Sequence, residues 1–313
     1  MLSRTADNLY WISRYMERAE NLARILRVTD RLSLMPAVAE SDGNEWHSTI
    51  VVSGVEDEFY ARYDEATPEN VISFLAFDPE NPSSIRNCIE TARRNGRAVR
   101  TALTTEQWES LNTTWLELPG WNENRVRGSG LHRFLDWVKD RSLLFHGTTV
   151  ATMLRRDSYF FTRLGTFIER ADNTARIVDV KYHILLPEEA EVGGGLDYYQ
   201  WASILRAVSG YRSYNAVYRE GLKPWLIVEF LTLREEMPRS LASCALGIKE
   251  SLDHLAEEYG QRHECHRMAG QIHSRLRFGQ MDDIFRQGLH EFLTEHIENN
   301  NRLAYEISRA YLF

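Results

Sequence analysis

Two charged segments of the chain carry the residue types that could perform chemistry, and they are nearly the same segment. YMERAENLARI occupies positions 15–25, and FIERADNTARI follows at 167–177. Eight of the eleven positions are identical or exchange Glu for Asp. Carboxylates can act as acids or bases, and arginines can hold a phosphate or a carboxylate. The shared polar residues are Glu17, Arg18, Glu20, Asn21 and Arg24 in the first segment and Glu169, Arg170, Asp172, Asn173 and Arg176 in the second.

Helical spacing places part of each set on one face. Glu17, Asn21 and Arg24 follow the pattern i, i+4, i+7, and the second segment repeats it. This face lies opposite an apolar stripe, so each helix would bury the stripe and keep the Glu-Asn-Arg face for another contact. Arg18 and Arg170 are one step round the helix, and we expect them to point elsewhere.

Two interpretations of the Glu-Asn-Arg faces stay open. They can lock the two halves through paired, buried charges, because a buried charge must be paired; Glu20–Arg24 and Asp172–Arg176 have the spacing of ordinary ion pairs. Alternatively, the faces can bind a ligand whose phosphate or carboxylate is held by paired arginines. The rarity of unpaired buried charge favours the lock.

A metal is not expected at these carboxylates. Bundles that bind two metals through carboxylates need a Glu-x-x-His pattern in two of their helices, and no histidine follows at that spacing here. The neighbouring arginines would balance the charge without a metal. A separate anion site is conceivable where helices begin after a proline, since hydroxyls and backbone N–H groups meet there. Its residues would be Ser83, Ser84, Arg239 and Ser240, although such serines more often only cap a helix.

Further matches predict a tandem duplication. PSSIRNCI at 82–89 matches PRSLASCA at 238–245, and LHRFL at 131–135 matches LHEFL at 289–293. The separation between matched positions drifts from 152 to 158 residues, as small loop insertions would produce. We predict two helical repeats, 1–152 and 153–313, in an all-α bundle with a pseudo-two-fold arrangement around the first helices. A domain-separated dumbbell is the alternative.

Helical periodicity predicts the same series of helices in each repeat. Pro82 and Pro238 suit the first turn of the fourth helix. The predicted ranges are 4–34, 45–62, 69–76, 82–103, 105–115 and 130–150 in the first repeat and 157–186, 197–219, 224–234, 238–259, 262–278 and 282–312 in the second.

Composition restricts the function classes. A formal net charge of −8 over 313 residues argues against general nucleic-acid binding, which needs a basic surface. Three cysteines are too few for a disulfide framework and indicate a reducing compartment. The start has no apolar core of a signal peptide, and the most apolar segment, at 225–231, is too short to span a bilayer. We expect a cytoplasmic protein without a membrane partner.

Three segments carry a resemblance to a known family. LSRTADNLYWISRYMERAENLAR, NPSSIRNCIETARRNGRAVR and FIERADNTARIVDVKYH closely resemble the bacterial alpha-E domain family, an all-helical family named for its Glu-Arg motif. The resemblance covers essentially the whole chain and places the family motif in the two charged segments. It implies a genomic context: members are typically encoded beside, or fused to, a circularly permuted ATP-grasp protein, often with a transglutaminase-like protease.

That resemblance implies a role in a system that forms peptide or amide bonds. We expect a helical, mostly non-catalytic subunit that binds the ATP-grasp ligase and positions its peptide substrate, with no cofactor of its own, since ATP would bind to the ligase. One alternative is an enzyme that uses Glu17 or Glu169 as acid or base and Arg24 or Arg176 to hold a carboxylate or phosphate. Another is a purely structural scaffold. The sequence does not define a homo-oligomer.

Overall fold

The computed structural model describes residues 1–34, 45–128, 130–185 and 195–312, and in these ranges it contains helices and no strand. The all-α prediction is confirmed. The helices are α1 (Ser3–Ser33), α2 (Glu45–Ser53), α3 (Glu56–Tyr60), α4 (Pro68–Ile72), α5 (Ile85–Ala98), α6 (Thr105–Glu117), α7 (Glu123–Val126), α8 (Gly130–Thr152), α9 (Asp157–Leu185), α10 (Gly195–Ala207), α11 (Tyr211–Val217), α12 (Pro224–Thr232), α13 (Leu241–Tyr259), α14 (Glu264–Arg277), α15 (Met281–Gln287) and α16 (Leu289–Ile307).

The two long helices α1 and α9, which carry the charged segments, lie at the centre and make the most extensive helix–helix contact among the described residues. Their backbones touch at Gly165. A Cβ atom at Gly165 would lie 2.1 Å from the carbonyl oxygen of Tyr10 and 3.2 Å from the Cβ of Ser13. Ser13 and Gly165 are matched positions of the two segments, so the helices cross at the same point along each.

Among the described residues, three large apolar clusters surround this crossing. One combines α1 and α8 with α9, α13, α14 and α16, so it draws on both halves of the chain. A second lies within the first half, and the third lies in the second half apart from Ile25. The halves therefore share a core and do not form a dumbbell. Their origin by duplication stays a prediction.

The predicted second helix of each half is wrong in its length. A left-handed residue ends α2 at Gly54 (φ 68°) and α10 at Ser209 (φ 57°). In each case the next residue donates its N–H to the carbonyl five positions back, from Val55 to Ile50 and from Gly210 to Leu205. These are the bonds of a Schellman motif, which stops a helix. Each predicted helix is thus two helices with a turn between them.

Two other helix predictions are wrong for related reasons. Pro82 and Pro238 lie before the helix and not in its first turn, because Ser84 and Ser240 are the N-caps of α5 and α13. The predicted helix over 282–312 is interrupted at Gly288, whose φ of 98° ends α15 before α16 begins.

A buried histidine in α16 leads to a prediction about pH. Burial lowers the pKa of His296 to about 4, whereas a histidine in the unfolded chain titrates near 6.5. The unfolded chain therefore binds a proton first, and stability is lost as the pH falls from about 6.5 to about 4. The full contribution is about 3 kcal/mol. Urea unfolding measures this loss. Between pH 7 and pH 4, the free energy of unfolding of His296→Leu should fall by about 3 kcal/mol less than that of the wild type.

His254→Leu is the control, because His254 is exposed. Its free energy of unfolding should depend on pH as that of the wild type does. The same dependence on pH in all three proteins would contradict the prediction.

Candidate functional site

The polar residues of the two charged segments are buried where α1 and α9 pack together. Glu17 and Glu20 are fully buried, and Glu169 is 3 % exposed. Asn21 and Asn173 are buried on the same helices. The helices are thus enclosed on their polar sides as well as on their apolar stripes, and the two Glu-Asn-Arg faces are not an open surface.

In each Glu-Arg dipeptide, the arginine binds the glutamate of the other dipeptide, across the two helices. Arg18 donates from Nε to Oε1 of Glu169 at 2.6 Å and from Nη2 to Oε2 at 3.2 Å. Arg170 donates from Nε to Oε1 of Glu17 at 3.0 Å and from Nη2 to Oε2 at 2.8 Å. Both contacts are two-pronged, the strong geometry for a guanidinium and a carboxylate. Arg18 and Arg170 therefore face the opposite helix, contrary to the expectation that they point elsewhere.

Further arginines donate hydrogen bonds to the same two carboxylates. Arg14 donates from Nε to Oε2 of Glu169 at 2.7 Å. Arg239 immediately precedes Ser240, the N-cap of α13. It donates from Nη1 to Oε1 of Glu17 at 2.7 Å and from Nη2 to Glu20. No sequence signal pointed to Arg14, because its matched position in the second segment is Thr166.

The second acidic residue of each segment pairs within its own helix, as the i, i+4 spacing predicts. Arg24 contacts Oε1 of Glu20 at 2.6 Å, and Arg176 contacts Oδ2 of Asp172 at 2.6 Å. Each arginine then continues to the end of a neighbouring helix. Arg24 donates to the carbonyl of Ala207 in α10, and Arg176 donates to the carbonyl of Val52 in α2 at 3.2 Å.

These contacts keep the carboxylates ionised. Burial alone would raise the pKa of Glu17, but the charges of Arg170 and Arg239 outweigh it and hold the pKa well below its usual range. Burial is likewise outweighed at Glu169, where Arg18 and Arg14 lower the pKa to about 2. A general acid or base needs a pKa near the operating pH. Neither carboxylate has that property, and both are enclosed.

Among the described residues, one group has the composition of a metal site: ligand atoms of Glu17, Glu20 and His146 lie within 4.8 Å of one another. His146 Nε2 is 3.0 Å from Oε2 of Glu17. The fit to a cation is poor, because the guanidiniums of Arg170 and Arg239 already contact the same carboxylates. A bound cation would add charge to a cluster that is already rich in arginine.

The four residues of the predicted anion site are engaged in other contacts. The hydroxyls of Ser84 and Ser240 accept the N–H groups of Asn87 and Ser243, at 3.2 and 3.0 Å, as helix caps. Ser83 lies 3.4 Å from Nη1 of Arg18. The anions that Arg239 holds are Glu17 and Glu20 of the protein itself.

The deciding comparison is with protein families. A family model described as "a predicted alpha-helical domain with a conserved ER motif", named Alpha-E, matches residues 1–312. The chain belongs to the Alpha-E family. The two Glu-Arg neighbours, at 17–18 and 169–170, are its two copies of such an ER motif, and in this Alpha-E protein they bind each other across α1 and α9.

Mycobacterial proteins are similar over part of the chain. Uncharacterized proteins of Mycobacterium bovis (strain ATCC BAA-935) and of Mycobacterium tuberculosis (strain CDC 1551) are each 31 % identical over 118 residues, which cover 34 % of this chain. A protein of M. tuberculosis strain H37Rv is 30 % identical over the same length. The chain spans 13 % of the length of these relatives. No solved structure matches the chain.

An open cleft of about 820 Å³ lies in the first half, away from the ER motifs. Its walls include Trp115 and Trp121, and Arg86 and Glu123 also line it. Arg62 lines the cleft too and donates to Oδ2 of Asp78 at 2.7 Å. No described helix is long and apolar enough to cross a membrane.

Proposed function

We propose that this Alpha-E protein is a non-catalytic, helical component of a cytoplasmic system that forms amide bonds, and that its partner is a circularly permuted ATP-grasp ligase. The observation that carries the first part is the enclosure of Glu17 and Glu169. Each is ionised and bound by two arginines, at least one of them from the other central helix. The partner follows from the family resemblance. ATP would bind to the ligase, and a transglutaminase-like protein would act in the same system.

Because the ER motifs are buried, the ligase must bind to another surface. One side of α8 and the residues after it expose apolar side chains at helical spacing: Leu143, Val150 and Leu154 are 48 %, 47 % and 77 % exposed. Gly147 lies between them on the same side and is also exposed. Contiguous exposed apolar residues commonly mark a protein–protein contact. We place the ligase-binding surface on this stripe.

The cleft of the first half is where the ligase's peptide substrate would lie. Large clefts with aromatic walls and a few charged groups are the usual form of a ligand site. The indoles of Trp115 and Trp121, which line the cleft, would pack against an apolar side chain of the peptide. Arg86 would meet a carboxylate of the substrate.

Co-purification with the ATP-grasp protein tests this function. The two proteins should form a stable complex, and the rate of ATP turnover by the ligase with its peptide substrate should change when this chain is added. Leu143→Glu combined with Val150→Glu should abolish the complex, since a charge in an apolar contact is costly. Leu34→Glu, the same change at another exposed leucine, should leave the complex intact.

Absence of a complex together with unchanged ATP turnover would contradict the partnership and leave a structural scaffold as the function. A complex that survives the double change would place the contact outside the α8 stripe.

A further inference from the structure

A small basic pocket lies between α1, α8 and the end of α10, apart from the cleft and the α8 stripe. Its volume is about 100 Å³, and among the described residues five cationic side chains line it with one carboxylate, Asp136. The cations are Arg24, Arg27, Arg31, Lys139 and Arg206. This concentration of positive charge contrasts with the net charge of −8 for the whole chain.

The pocket's positive charge is only partly balanced within the described part of the protein. Arg24 pairs with Glu20, which lies outside the pocket lining. Asp136 is shared, since Arg27 Nη1 lies 3.0 Å from its Oδ2 and Lys139 Nζ lies 3.0 Å from its Oδ1. Arg206 stacks on the ring of Tyr211 at 4.7 Å and has no carboxylate within ion-pair distance among the described residues; the same is true of Arg31. Burial, together with the charges of Arg27 and Arg206, lowers the pKa of Arg31.

A strained residue also faces the pocket. Ser209 is left-handed, with φ 57°, and among the described residues it is the only non-glycine with positive φ. Gly54 ends α2 in the same conformation, which glycine adopts without strain. Ser209 lines the pocket, and its hydroxyl lies 3.0 Å from Nη1 of Arg24. Strained residues are concentrated at functional sites, where the surrounding structure holds them in the strained conformation.

Most of the positive charge belongs to this pocket and not to the fold. Sequence matching aligns Arg27 with Asp179 and Lys139 with Ile297, and the matching helix ends align Arg206 with Val51. Arg24 matches Arg176, but these three cations are absent from the corresponding positions of the other half. Packing of the helices does not require them.

We propose that this pocket binds a phosphoryl group, held by Arg31, Arg206 and the hydroxyl of Ser209. The volume holds one tetrahedral oxyanion but not a nucleotide base and sugar, because sites for whole ligands of that size are several times larger. Guanidiniums and a hydroxyl are the donors that a phosphate oxygen accepts. The group is either free phosphate or the end of a phosphomonoester. This site is independent of the proposed ligase partnership.

Calorimetric titration of the full chain with inorganic phosphate at low ionic strength tests the proposal. We expect saturable binding at one site, weakened by added NaCl. Arg31→Gln combined with Arg206→Gln should reduce the affinity at least about tenfold. Arg94→Gln combined with Arg97→Gln, a matched loss of two charges on the exposed side of α5, should stay within about twofold. Lack of saturation by about 10 mM phosphate, or equal loss in both variants, would overturn the site.

Ser209→Gly separates binding from folding. Glycine relieves the left-handed strain, so the midpoint of thermal unfolding should rise while phosphate affinity falls about fivefold. A purely structural serine would change the midpoint and leave the affinity unaltered, which would remove Ser209 from the site.

Two further titrations identify the ligand. Glycerol phosphate binding more tightly than inorganic phosphate would indicate a phosphomonoester, and the reverse would indicate free phosphate. Acetate should bind at least about tenfold more weakly than phosphate, because a single carboxylate carries less charge and fewer acceptor oxygens. Equal affinity for acetate would overturn the assignment to a phosphoryl group.

Discussion

Replacing Glu17 with glutamine is expected to lower the free energy of unfolding by about 3–5 kcal/mol, because the change breaks a buried ion pair from one side. Glu17 is fully buried, and Arg170 and Arg239 both donate to its carboxylate. Glutamine fills nearly the same space but carries no charge. Two guanidiniums would then be buried with less negative charge to balance them, and the amide group would present hydrogens to one of them.

Urea denaturation at pH 7 measures this effect. Glu264→Gln is the matched control, because Glu264 pairs with Arg267 on the surface, where both side chains are about half exposed. The control should unfold almost as the wild type does, since exposed ion pairs contribute little. If Glu17→Gln also unfolds at the wild-type urea concentration, the ER motifs do not stabilise the contact between α1 and α9.

The second large effect is expected from a single added methyl group. Gly165→Ala should lower the free energy of unfolding by about 3 kcal/mol or more, at the upper end for an overpacked core. The new Cβ would lie 2.1 Å from the carbonyl oxygen of Tyr10, which is backbone and cannot rotate away. Relief would require the two central helices to move apart, and that movement would lengthen the bonds between the ER motifs.

Gly270→Ala in α14 is the control for helix propensity. A Cβ there would have no heavy atom within 4 Å, so alanine should stabilise the helix by about 1 kcal/mol. The two variants add the same methyl group to a helix and should move the urea midpoint in opposite directions. A neutral Gly165→Ala would mean that the close approach of α1 and α9 is not constrained.

Local interactions could be predicted from the sequence because helix geometry determines them. The spacing of Glu20 and Arg24 defines an i, i+4 pair regardless of what surrounds the helix, and the structure contains that pair. The lengths of α1 and α9 follow from long, uninterrupted periodicity for the same reason. The membership of Arg14 in the site could not be predicted, since its partner is 155 positions away and only the crossing of two helices brings them together.

The predicted direction of Arg18 is wrong for a related reason. An apolar stripe shows which side of a helix enters a core, but α1 is surrounded on nearly all sides, so a residue beside the stripe can also face another helix. The sequence does not predict the end of α10 at Ser209, because serine rarely adopts a left-handed conformation. At the end of α2 the corresponding residue is Gly54, and glycine is the residue type that such a turn favours.

The crosswise pairing of the ER motifs has the form of an isologous contact, in which the same patch of each subunit binds its counterpart, as in a symmetric dimer. Here both patches belong to one polypeptide, so dilution cannot separate them. The motif glutamate of each half pairs with the motif arginine of the other half: Glu17 with Arg170, and Glu169 with Arg18. The ER dipeptide thus behaves as the interface of a dimer whose protomers are permanently joined.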